Sequence, residues 1–81
     1  MIAVLDVCCE ALFASDVQRS DHPTPEAVRA AVSAAVERLG EAGCAALVAQ
    51  EFGEHPDCAC GRMRWARQAV NAAFGVECDS C

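Results

Sequence analysis

Apolar residues recur three and four positions apart along most of this chain, the spacing of a helix face rather than the alternation of a strand. Near the start, Leu5, Cys8, Cys9, Leu12 and Phe13 share one face, which predicts a helix over roughly residues 2–17. The pattern stops at Ser20-Asp21-His22-Pro23-Thr24-Pro25, where two prolines and several capping residues call for a loop. Asp21 and His22 read there as turn and solvent contacts. Thr24 is placed to cap the next helix, Pro25 to take its first position and Glu26 to lie against the positive end of its dipole. Val28, Ala31, Val32, Ala35, Val36 and Leu39 form the inner stripe of that helix, with Arg29, Ser33, Glu37 and Arg38 outside. It is expected to end near Gly40, with residues 40–43 as a short hinge.

The last third predicts two more helices. One runs from about Cys44 to Phe52, with Leu47, Val48 and Phe52 as its apolar face. Gly53 follows, a residue type that can end a helix in the left-handed conformation without strain. The other opens at His55-Pro56-Asp57, where proline suits a first helical position. At about 100° per residue, Ala59, Met63, Ala66, Val70, Ala73 and Phe74 point inward. Arg64, Trp65 and Gln68 point outward, and Arg62 and Arg67 lie at the margins. After Phe74 the periodicity ends in Gly-Val-Glu-Cys-Asp-Ser-Cys, which reads as a flexible tail. The expected fold is therefore all-α: a small four-helix domain over residues 1–74, with a helix-turn-helix at 44–74 and a Cys-containing tail at 75–81.

Size and composition narrow the possibilities. A chain of 81 residues buries only about 60 to 65% of its unfolded surface, and its apolar content is mostly alanine and valine. Such material suits closely packed helices better than a large cofactor pocket, so no cofactor and no enzymatic activity are expected. The net charge is −6, and lysine is absent. Residues 1–43 hold seven acids against three arginines, whereas 44–74 hold three of each. That field opposes a polyanion except at a local arginine patch, and mildly favours a basic partner. No stretch is apolar enough to span a membrane, and the N-terminus lacks the basic region of a signal peptide, so a cytoplasmic location is expected.

The segment Val48 to Arg67, VAQEFGEHPDCACGRMRWAR, resembles the helix-turn-helix of the C-terminal domain of bacterial sigma factors. Ala49 matches the small residue inside the first helix, Gly53 the turn glycine, His55 the polar start of the recognition helix and Ala59 its inward-packing residue. Arg62, Arg64 and Arg67 match an arginine-rich run. The likeness covers about a quarter of the chain; as a whole the chain is similar to small actinobacterial proteins without an assigned role. The resemblance implies DNA, or a transcription-associated regulatory protein, as the partner, with Arg62, Arg64, Arg67 and Gln68 as the contact residues. The first turns depart from the pattern. Pro56, Asp57, Cys58, Cys60 and Gly61 are poor base readers, and Asp57 repels phosphate.

Seven cysteines fall in three zones: Cys8, Cys9 and Cys44 on inner faces, Cys58 and Cys60 on the first turns of the last helix, and Cys78 and Cys81 in the tail. Side chains two apart on a helix diverge by about 200°, so Cys58 and Cys60 do not share an ion, and no metal site is expected. Cys58, near a helix N-terminus and His55, is the best-placed thiol for reactivity, but Asp57 opposes its ionisation. Three readings of function follow. The chain is a cytoplasmic regulatory module that binds DNA or a regulatory protein; or an interaction and scaffold domain without nucleic acid; or a precursor peptide enzymatically modified at Cys78 and Cys81.

Overall fold

The computed structural model describes residues 4–75, and every regular element among them is helical. Helix α1 spans Val4–Ala14, a single 3-10 turn covers Arg19–Asp21, α2 spans Pro25–Glu54 and α3 spans Pro56–Ala73. The all-α expectation stands. The expected tail from Val76 onward, with Cys78 and Cys81, lies outside the described residues.

Helix α1 is shorter than its apolar pattern suggests. Ser15 turns its hydroxyl back to donate to the Leu12 carbonyl at 2.6 Å, and the same oxygen accepts the Val17 N–H at 3.3 Å. This local bonding competes with another helical turn, so the helix stops at Ala14 rather than near 17. The chain then reaches His22, whose φ of 48° is left-handed and unusual outside glycine. Thr24 caps α2 as its sequence implies, its side chain accepting the Ala27 N–H at 3.1 Å, with Pro25 in the first turn.

The middle of the chain differs from expectation in two places. The hinge expected over residues 40–43 is a single non-helical residue, Gly40, at φ 72° and ψ 167° inside α2. That conformation is essentially reserved for glycine. Residues on both sides stay helical, so α2 has two arms, and the Cys44 thiol reaches across the break to the Ala35 carbonyl at 3.8 Å. Second, Gly53 does not make a turn. The helix runs through it to Glu54, and the break falls at His55, with φ −137° and ψ 65°. Proline at 56 excludes helical geometry from the residue before it. His55 then ends one helix and starts the other: its N–H donates to the Glu51 carbonyl at 2.7 Å, and its carbonyl accepts the Ala59 N–H at 2.8 Å.

The core is built from small residues. Leu12, Val28, Val70 and Cys44 are its largest fully buried side chains, with Ala11, Ala35 and Ala66 almost completely enclosed among them. Alanine at these facing positions lets backbones approach closely, which leaves little interior volume for a ligand. A smaller cluster of Phe13, Val48 and Ala59 lies beside it, and Phe13 stacks on Phe52 with ring centroids 6.1 Å apart.

The two glycines give opposite expectations. Gly40→Ala should lower stability by about 1–3 kcal/mol through backbone strain alone, since no atom crowds the new methyl group. Gly53→Ala, in helix and equally uncrowded, should raise it by about 0.5–1 kcal/mol. Urea denaturation of the two variants checks both signs.

Candidate functional site: the outer face of the last helix

Helix α3 carries three of the six arginines, and the structure uses them differently. Arg62 turns inward. Its Nε donates to the Phe13 carbonyl at 2.9 Å, and one terminal nitrogen faces the carbonyls of Ser15 and Val17 at 3.0 Å each and of Leu12 at 3.4 Å. Its guanidinium lies 5.6 Å from the centre of the Phe13 ring and 5.3 Å from that of Trp65. These carbonyls are the end of α1 and the chain just beyond it. Arg62 therefore acts as a cap supplied from another helix, with a positive charge at the negative end of the α1 dipole. Burial lowers its pKa from the usual arginine value, but the group remains protonated at any biological pH. Arg29 does the same for α3, donating to the Ala73 carbonyl.

Arg64, Arg67 and Gln68 are exposed. Among the described residues, neither Arg64 nor Arg67 has a carboxylate within ion-pair distance; the one such contact is between neighbouring His55 and Glu54, at 4.0 Å. Gly61, Arg64 and Gln68 follow Asp57 along one row of the helix, at spacings of four and three. Trp65, expected outward, is half-buried: it packs beside the main core and carries the Arg62 guanidinium on its ring. Of the four residues singled out from sequence, three thus share the outer face and Arg62 is committed to the body. A helical wheel places Arg62 at a margin, but not beside the end of a helix some 49 positions earlier in the chain.

On one side the face borders a groove of about 510 Å3 between α1, the second arm of α2 and α3. Met63 and Arg67 belong both to this groove and to a shallower depression with Cys60 and Arg64. Asp6 and Glu10 from α1 and Glu41 from α2 supply the groove's carboxylates. The groove has no signature along the chain, because its three walls come from segments far apart in sequence.

Cysteines divide by environment. Cys8, Cys9 and Cys44 are buried free thiols, and burial raises the pKa of all three. Cys9 is pushed up to about 11, chiefly by desolvation, with Arg67 opposing and Asp6, Cys8 and Glu10 reinforcing the rise. Cys58 and Cys60 are exposed and line different depressions, Cys58 beside Arg19 and Trp65, Cys60 beside Met63 and Arg64.

The fold and this face define a small, acidic, alanine-rich helical protein whose last helix carries two arginines without a carboxylate partner among the described residues. No protein-family model matches the chain, and neither a curated protein nor a solved structure matches it. None of its described helices is long and apolar enough to cross a membrane.

Two outcomes follow from these environments. Arg62→Ala leaves the end of α1 without its donors and should lower stability by about 2–3 kcal/mol; Arg62→Lys, lacking the planar fork, should recover only part of that in thermal melts. The thiols set an alkaline limit. Unfolded Cys9 ionises near 9.0 and folded Cys9 near 11, so the unfolded chain loses its proton first as pH rises. Stability contributed by Cys9 is intact below pH 9 and drains away between 9 and 11. Alkylation at pH 8 read by peptide mass mapping should label Cys58 and Cys60 well before Cys8, Cys9 and Cys44, whose labelling should track unfolding.

Proposed function

We propose that the chain is a small regulatory interaction module that docks on another protein through the outer face of α3, with Arg64, Arg67 and Gln68 as contact residues. The carrying observation is that Arg62 is committed to the body while Arg64 and Arg67 stand exposed, with no carboxylate partner among the described residues. In this reading the break at Gly40 separates four helical units, and the second arm of α2 pairs with α3 as a helix-turn-helix-type unit. The junction of that unit is the single residue His55, shorter than the three- to four-residue turn of the DNA-reading motif. The inward Arg62, Asp57 in the first turn and a net charge of −6 all weigh toward a protein partner and away from DNA. The likeness to the sigma-factor motif supports a transcription-associated partner as one form of the same reading. Buried free thiols at Cys8, Cys9 and Cys44 suit a reducing compartment, and we place the protein in the cytoplasm on that basis.

A pull-down from native extract compares the wild-type chain with an Arg64→Ala/Gln68→Ala variant, both at matched folding by circular dichroism. A protein retained by the first and lost by the second is expected, together with no retention of genomic fragments in a low-salt mobility shift. Retention of DNA that Arg64→Ala abolishes replaces this reading with the DNA-binding one. Equal retention of the protein partner by both chains removes α3 as the contact face.

A further inference from the structure

The groove beside α3 carries an inference about what kind of protein binds there. Its floor is apolar: Val7 and Cys9 from α1, Ala45 from α2 and Met63 from α3 line it. Its volume of about 510 Å3 lies in the range of specific binding sites, roughly 300–1,000 Å3. The charges around that floor are unbalanced. Asp6, Glu10 and Glu41 face a single guanidinium, that of Arg67, and among the described residues none of the three carboxylates is within ion-pair distance of a cation. Asp6 and Glu41 are exposed and Glu10 half-exposed, so all three can meet an incoming charge. Nothing in this arrangement suits nucleic acid, whose phosphates would meet carboxylates on two of the three walls.

We propose that this groove receives a basic amphipathic helix of a protein partner, its apolar ridge against Met63, Ala45 and Cys9 and its lysines or arginines against Asp6, Glu10 and Glu41. The inference rests on the reading of α3 as an interaction face, because Met63 and Arg67 belong to both surfaces. It adds the chemistry of the partner. An apolar stripe flanked by charge is how an amphipathic helix is read by a groove. Arg67 gives the site polarity, since a carboxylate at one end of the ligand helix would pair with it and fix orientation. Complementary charge of this kind steers association and selects partners more than it adds raw affinity, so salt dependence is expected to be marked.

The test uses the full chain and a labelled synthetic helix of leucine, alanine and lysine about sixteen residues long. Two further peptides serve as comparisons: a scrambled one of the same composition without an apolar face, and one with glutamate in place of lysine. Fluorescence anisotropy should show binding of the amphipathic basic peptide alone, weakened about tenfold by Glu10→Gln/Glu41→Gln. Glu26→Gln/Glu37→Gln, which removes the same charge from exposed positions outside the groove, should change it less than twofold. Amide shifts on titration should map to α1, to the arm after Gly40 and to Met63 and Arg67. Equal binding of the scrambled peptide, equal weakening by both double variants, or no binding at all overturns the proposal. So does sedimentation showing a homodimer that Glu10→Gln/Glu41→Gln dissociates, which would assign the groove to a second copy. Failure here leaves the Arg64 and Gln68 pull-down unaffected, and failure of that pull-down with the peptide result intact would confine recognition to the groove.

Discussion

The end of α1 is held by a side chain that arrives 49 positions later, and the rest of the fold is arranged around that contact. The last carbonyls of a helix have no partner within the helix, and leaving them unmet beside a core is unfavourable. Here Ser15 meets the Leu12 carbonyl locally, and Arg62 meets those of Phe13, Ser15 and Val17. Flanking rings of Phe13 and Trp65 shield the guanidinium and strengthen its interactions by limiting water. Because α1 and α3 are joined through a charge-assisted network as well as through alanine packing, their relative position is fixed more sharply than small side chains alone would fix it. Arg29 on α2 binds the end of α3 in the same manner, so α1 and α3 each end on an arginine from another helix.

Much of this fold is readable in the sequence, for identifiable reasons. Local chemistry is explicit there: Thr24 and Pro25 begin α2 where a capping residue and a first-turn proline should, and the stripe of Ala59, Ala66, Val70 and Ala73 is buried as its periodicity requires. Helix endings are less explicit, because two glycines of the same type behave in opposite ways. Gly40 takes a conformation no other residue readily adopts, whereas Gly53 stays helical. The difference is supplied by Pro56, which has no N–H to donate back and disfavours helical geometry at the residue before it, and so places the break at His55. A glycine permits a turn without demanding one, while a proline demands a boundary at a defined position.

The site was legible to a lesser degree. Helical angles place Arg64 and Gln68 outward and Arg67 at a margin, and all three are exposed. The same angles put Trp65 outward, yet it packs beside the core and shares a depression with Arg19, His22 and Pro23 from the segment between α1 and α2. Arg62, at a margin by the same angles, turns inward for a related reason. Periodicity gives the direction in which a side chain leaves its own helix, but what it meets depends on packing between distant segments. The groove is the extreme case, since Asp6, Glu41 and Arg67 share nothing in sequence that would bring them together.

Withdrawal of Arg62 from the surface has an electrostatic effect. It leaves the outer face of α3 with only Arg64 and Arg67, too few cations to offset a net charge of −6 for a polyanion. Separately, the neighbouring groove holds three carboxylates and, among the described residues that line it, a single guanidinium, that of Arg67. Both features disfavour a polyanion at these surfaces, and the first follows from a residue turned into the body. The walls of the groove depend on the same devices that hold the fold: the Arg62 network positions α1 against α3, and the Gly40 break sets the arm that contributes Glu41 and Ala45. In a chain whose core is built mainly from alanine, valine and cysteine, the junctions between helices bring distant charges together, and Arg62 and Gly40 shape those junctions.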